Sequence, residues 1–158
     1  MKRILSIIGI IIFSPEMFAI LILIALYFIV PQIFVWIASR VSTADEQLKF
    51  LALAPLTLTI FIISKRSDLL FPEHKENQIL QEWPNYHMLL DRFWVCMLFS
   101  ATSAGVSLAI WLIGLSLKNP TYLLAFMISL MVPLITLFTF INATISLRRF
   151  LSLYKQKH

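Results

Sequence analysis

Long apolar runs dominate this sequence and decide what it can fold into. Four stretches carry almost no charge, at about 15–39, 48–64, 93–117 and 120–147. A helix needs roughly 20 apolar residues to cross a hydrocarbon layer about 30 Å thick. Hydrophobic residues make up 59% of the chain and charged residues 13%, a balance that no soluble domain could bury. We therefore predict an all-α, polytopic membrane protein with four transmembrane helices in a single transmembrane domain.

The apolar sequence at the start of the chain is interrupted at Ser14-Pro15-Glu16. Serine is a good N-cap, proline suits the first helical position, and the positive end of the helix dipole favours glutamate. The first span should therefore begin at Pro15 and be kinked near Pro31. Residues 4–13 either lie at the inner interface or continue the span as one long kinked helix. No small-x-small cleavage site follows them, so we expect them to be retained.

Basic residues are spread unevenly about the predicted spans. Ten fall on one side and three on the other, and the positive-inside rule places the richer side in the cytoplasm. The ten are Lys2, Arg3, Lys65, Arg66, Lys75, Arg92, Arg148, Arg149, Lys155 and Lys157, and the three are Arg40, Lys49 and Lys118. This predicts an N-in/C-in protein of the bacterial inner membrane. Because the charges lie between apolar runs and not along one soluble face, we expect contact with the lipid bilayer and no direct nucleic acid binding.

The cytoplasmic loop 65–92 is the only sizeable polar stretch, and it mixes both charges with apolar side chains. It is either a connector lying on the membrane surface or a docking surface for a cytosolic protein partner, since apolar anchors among mixed charges suit a protein interface. The docking candidates are Phe71, Glu73, Lys75, Trp83, Tyr86 and Arg92.

Small residues recur along the third span, where they would let helix backbones approach closely. The ladders are Ala101, Gly105 and Ala109, then Ser100 with Ala104, and Ser103 with Ser107. One interpretation is packing within the monomer onto a stripe in the fourth span, formed by Ser129, Thr136, Thr139, Ala143 and Ser146. The other is self-association into a homo-oligomer, and the two are compatible.

Few other residues carry chemistry. Glu16 is the only carboxylate inside an apolar stretch, where it either stabilises a helix terminus or handles a proton. Asn142 fits a helix-to-helix hydrogen bond. The tail after the last span offers basic residues to anionic lipid headgroups, with Arg148, Arg149, Lys155 and Lys157 as the candidates.

Neither a catalytic site nor a cofactor or metal site is predicted. The three histidines have no metal-ligand spacing, Cys96 has no second cysteine, and the chain has three glycines and no phosphate-binding loop. We therefore expect a protein that is not an enzyme. The prediction that no ionisable residue lies near mid-membrane also argues against coupled transport.

The layout of four spans, short outer loops and the inner sequence FPEHKENQILQEWPNYHMLLDRF leading into the third span resembles the small membrane subunit of the Kiwa anti-phage defence system. The resemblance implies a homo-oligomeric membrane platform that binds a soluble, DNA-binding effector at its cytoplasmic face and senses phage attack at the envelope. The loop 65–92 and the basic tail would make that contact.

Two other functions fit the same layout. Small immunity proteins against pore-forming colicins have a similar size and number of spans, and they act by lateral helix contacts inside the membrane. An oligomeric pore lined by serine and threonine is the other alternative.

Overall fold

The computed structural model describes residues 9–41, 50–70, 86–114 and 116–157, and the side chains of 66–70, 148 and 150–157 lie outside that description. Most of these residues are helical, and no strand occurs among them. The five helices are α1 (Pro15–Ile29), α2 (Pro31–Val41), α3 (Ala54–Leu70), α4 (Tyr86–Ile113) and α5 (Pro120–Lys157).

Helix α1 begins where the sequence predicts. Ser14 has extended backbone angles, and its hydroxyl accepts a hydrogen bond of 3.1 Å from the backbone N–H of Met17. Pro15 occupies the first turn, where its missing N–H costs nothing. The N-cap and the proline together fix the entry into α1.

The chain turns by 95° between α1 and α2, which is far sharper than the kink predicted near Pro31. Pro31 has no N–H to donate, and it excludes Val30 from helical geometry. Val30 accordingly has φ −133° and ψ 63°, and its N–H closes the last turn of α1 on Leu26 at 2.9 Å. The stretch predicted as one span at 15–39 is therefore two helices set almost at right angles.

Helix α3 is shorter than a full crossing. Its apolar part, Ala54–Lys65, is about 18 Å long at about 1.5 Å per residue, against a hydrocarbon layer of about 30 Å. Pro55 is buried in its first turn. The second predicted span, 48–64, is therefore helical only in part within the residues described.

Among the described residues, two helices are long and apolar enough to cross a membrane. These are α4 and the Pro120–Leu147 part of α5, and the bent α1–α2 pair would be a third if it is one broken span. Helix α4 ends at Ile113, before the predicted Leu117, because Gly114 adopts a left-handed φ of 67° that stops the helix. The described part of the chain is all-helical, and two or three of its helices could cross a membrane.

The bundle is built around α4 and α5, which run antiparallel. Tyr86 packs near Leu147, the rings of Phe93 and Phe140 lie 6.1 Å apart, and Ser103 reaches Ser129. Helix α3 packs against both, and α1 packs against α5. Many large apolar side chains outside this core are exposed, as expected for a surface whose solvent is lipid.

Candidate functional site

Three buried serines on α4 join it to its neighbours. The Ser100 hydroxyl lies 2.7 Å from the hydroxyl of Thr59 on α3. Ser103 donates to the carbonyl of Ser129 at 2.7 Å, and Ser107 donates to the carbonyl of Ala52 at 2.6 Å. Of the predicted packing residues, Ser103 thus contacts the fourth span, whereas Ser100 contacts α3 and Ser107 contacts the turn before it. Hydroxyl groups form such bonds between helices where no water competes.

The other predicted packing ladder faces outward. Ala101, Gly105 and Ala109 are all exposed, and a Cβ added at Gly105 would meet nothing within 4 Å. These residues lie on the opposite side of α4 from the buried serines, so they contact no other described part of the monomer closely. The ladder is an open strip of small side chains on the exposed face of α4.

Glu16 lies deep in the bundle. Its side chain is fully buried in the first turn of α1, and its Oε1 accepts a long hydrogen bond of 3.4 Å from Thr136 on α5. Thr136 is about 16 Å along the helix from Leu147, at about 1.5 Å per residue. The carboxyl thus lies well inside the apolar part of α5, which the expectation of no ionisable residue deep in the membrane did not foresee.

One oxygen of this carboxyl is not satisfied. Glu16 Oε2 is buried and has no hydrogen-bond partner among the described residues. The buried thiol of Cys96, on α4, lies close enough to the carboxyl to interact with it electrostatically. Glu16, Thr136 and Cys96 therefore form a small polar cluster contributed by three helices, where a carboxyl could accept a further hydrogen bond.

A cavity of about 510 Å³ lies beside this cluster, between α3, α4 and α5. Its floor is made of buried residues, among them Ile62, Phe93, Cys96 and Thr136, and its mouth is made of exposed ones. The full lining is Ile62, Met88, Leu89, Arg92, Phe93, Cys96, Met97, Thr136, Thr139, Phe140, Asn142, Ala143 and Ser146.

The cavity corrects the prediction for the fourth-span stripe. Of its residues, only Ser129 receives a hydrogen bond from α4, through its backbone carbonyl. Thr136, Thr139, Ala143 and Ser146 line the cavity instead, together with the rings of Phe93 and Phe140. Asn142, predicted as a helix-to-helix hydrogen-bonding group, is exposed and also lines the cavity.

The docking candidates divide into three groups. Phe71, Glu73, Lys75 and Trp83 lie outside the described residues. Tyr86 is buried beside Leu147 at the start of α4, so its ring is not offered to a partner in this conformation. Arg92 is exposed and lines the mouth of the cavity.

The basic tail continues α5 as a helix to Lys157. Arg149 is exposed, whereas the side chains of Arg148, Lys155 and Lys157 lie outside the description. Among the residues the structure describes, no group of three or more His, Cys, Asp or Glu side chains could hold a metal ion.

Neither the cavity nor the nearby carboxyl of Glu16 was predicted, although the sequence contains a pattern of polar residues that points to the cavity. Arg92 and Cys96 are four residues apart, and Thr136, Thr139, Asn142 and Ser146 follow one another at steps of three or four. Each set lies on one helix face, so the sequence could have predicted that a polar stripe on α4 faces a polar stripe on α5. The position of Glu16 opposite them depends on how α1 packs, which no local pattern contains.

Fold and site together define an all-helical membrane protein with a polar cluster and an amphiphilic cavity inside the helix bundle. No protein-family model, no curated protein and no solved structure matches the chain.

Proposed function

We propose that this chain is a multi-pass protein of the bacterial inner membrane that crosses four times, with both ends in the cytoplasm. Its basic residues favour that orientation, ten to three by the positions given above. In this arrangement α3 contributes to the second crossing, together with residues before it. The cavity mouth then lies toward the cytoplasmic face.

Its proposed role is that of a non-enzymatic platform or sensor subunit that docks a cytosolic effector in anti-phage defence, as the resemblance to the Kiwa membrane subunit implies. One observation carries the proposal: the buried serines join the helices into a scaffold, while the ladder of Ala101, Gly105 and Ala109 is left open on the outer surface. A fixed bundle with an unpartnered strip of small residues suits assembly with other chains in the membrane.

The same open ladder favours one alternative function. A small immunity protein that blocks a pore-forming toxin would use such a strip for lateral contact with the toxin's helices. An oligomeric pore lined by serine and threonine receives less support, because the hydroxyls of Ser100, Ser103 and Ser107 are already bonded inside one monomer.

The orientation can be tested with single cysteines. Cys96 is the only cysteine and is buried, so Cys96→Ala gives a clean background. In intact spheroplasts, a membrane-impermeant maleimide should label Lys118→Cys, and it should label Lys75→Cys only after permeabilisation. The reverse pattern would overturn the proposed orientation and with it the docking role of the loop 65–92.

Docking can be tested by co-purification in mild detergent after co-expression with the products of neighbouring genes. A soluble protein should co-elute with the full-length chain, and Phe71→Ala and Trp83→Ala should reduce its recovery. Trp94→Ala is the matched control, because Trp94 is an exposed aromatic residue on α4, within the predicted third span. Absence of any soluble companion, or equal losses in all three variants, would contradict the docking proposal.

Self-association can be tested separately through the ladder. Gly105→Leu should shift the protein to a smaller oligomer in size-exclusion chromatography with light scattering, whereas Val106→Leu, at an exposed neighbouring position, should leave the oligomer unchanged. A wild-type protein that is monomeric in every detergent would refute the platform. If Gly105→Leu instead abolishes protection against a toxin encoded nearby while loop variants do not, the immunity function is favoured.

A further inference from the structure

The apolar and polar residues of the cavity between α3, α4 and α5 lie at opposite ends of it. Its buried end is mostly apolar, with Ile62 and Phe93 among its walls. Its exposed end carries Arg92, Asn142 and Ser146, which are a guanidinium, an amide and a hydroxyl. All three can donate hydrogen bonds, and one of them is permanently positive. The mouth is therefore suited to an anionic group with several acceptor oxygens.

The position of Glu16 sets the orientation of any such ligand. Its carboxyl is fully buried behind Thr136 and Cys96, which line the cavity at the end away from Asn142 and Arg92, and it is not itself part of the lining. Cys96 is one helical turn, about 6 Å, beyond Arg92 along α4. An anion is therefore disfavoured at the deep end and favoured beside Arg92, while an apolar chain can lie against the walls between them.

We propose that this cavity binds the phosphate headgroup of an anionic phospholipid at Arg92, Asn142 and Ser146, with part of an acyl chain in the apolar interior. Basic pockets between transmembrane helices on the cytoplasmic side are suited to such headgroups. The volume of about 510 Å³ is that of a ligand site and exceeds that of a packing defect. The cytoplasmic location of the mouth rests on the proposed orientation, whereas the binding chemistry does not.

The occupant is a lipid and not a soluble phosphate compound for two reasons. The lining is largely apolar, and a free phosphate ester would leave that surface unfilled. Met97 and Phe140, which lie deeper along the two helices than Arg92 and Asn142, also line the cavity and are partly exposed, so an acyl chain can reach its apolar wall from the bilayer.

The test uses the purified full-length protein in detergent, titrated with phosphatidylglycerol and followed by native mass spectrometry. The wild type should bind phosphatidylglycerol in preference to phosphatidylcholine. Arg92→Gln should weaken that binding about tenfold, because it removes a charge-assisted hydrogen bond. Lys118→Gln removes a cation that is exposed and outside the cavity, and it should bind like the wild type.

A second pair of variants fills the cavity without changing charge. Ala143→Leu places extra volume in the lining and should reduce lipid binding, whereas Ala25→Leu makes the same change at an exposed position of α1, outside the cavity, and should not. Both should elute as monodisperse protein, which separates lost binding from lost folding.

Three results would overturn the proposal. The first is undiminished phosphatidylglycerol binding in both Arg92→Gln and Ala143→Leu. The second is full displacement of the lipid by millimolar inorganic phosphate. The third is a cavity that is covered by a second copy of the chain in place of lipid. Since binding in detergent does not depend on orientation in the cell, a failure here is distinguishable from a failure of the proposed topology or docking role.

Discussion

Replacing Glu16 by methionine should make the protein more stable. The buried Oε2 has no hydrogen-bond partner among the described residues, and Oε1 makes only one long bond of 3.4 Å. An unsatisfied buried polar group costs about 1–3 kcal/mol, whereas an acidic residue in the first helical turn contributes about 0.3–1 kcal/mol. Methionine has a similar shape and no polar oxygen, so Glu16→Met should gain about 1 kcal/mol.

Ser14→Ala provides a matched control of opposite sign at the same helix terminus. It removes the 3.1 Å bond from Met17 N–H, and loss of an N-cap costs about 1 kcal/mol. A change of 1 kcal/mol shifts the thermal midpoint by roughly 2–4 °C in a chain of this size, which fluorescence-monitored unfolding in a mild detergent can resolve. If Glu16→Met lowers the midpoint as much as Ser14→Ala does, the carboxyl is well satisfied and the reasoning is refuted.

Three further predictions concern packing, backbone geometry and access. Ser100→Leu should cost about 1–3 kcal/mol because it overfills a fully buried position. Val106→Leu, at an exposed position of α4 outside the ladder, should change the thermal midpoint little, and equal effects would contradict the assigned faces of α4. Gly114→Ala should lower the free energy of unfolding by about 1–2 kcal/mol, because residue 114 has a φ of 67°. Gly105→Ala should raise it by about 0.5–1 kcal/mol, because this helical glycine has room for a Cβ. Chemical denaturation that gives the same sign for both variants would refute this. Buried Cys96 should react with a maleimide far more slowly in the folded protein than in SDS, and rapid labelling of the folded state would contradict its burial.

The helix starts were predictable because their signals are local. Ser14 and Pro15 make an N-cap followed by a first-turn proline, and Asn119 and Pro120 repeat the pattern at the start of α5. In the second case the Asn119 side chain accepts from Thr121 N–H at 3.0 Å. Capping depends on a few adjacent residues, so a sequence contains all that is needed.

The bend after Val30 was only half predictable. Proline at position 31 explains why the helix is interrupted there, but a proline alone does not decide between a gentle kink and a turn of 95°. The size of the angle depends on what each half packs against. Helix α1 ends beside α5, where the Tyr27 and Thr121 hydroxyls lie 3.2 Å apart, and no periodicity in the sequence encodes that contact.

The cavity escaped prediction because it arises from a difference along one helix pair. At one end of α4 and α5, small side chains such as Ser103 and Ser129 allow close approach. At the other end, the rings of Phe93 and Phe140 pack against each other, and the small residues of α5 face the cavity beside them. A stripe of small residues therefore predicts contact only where its facing residues are also small. Because the contacts made by Ser103 and Ser107 lie beyond the cavity along α4, a ligand can enter the cavity without breaking them. Helix α4 begins with Tyr86 and Met88 at the end of the bundle where the cavity lies, so a partner bound to the segment between α3 and α4 would sit next to it.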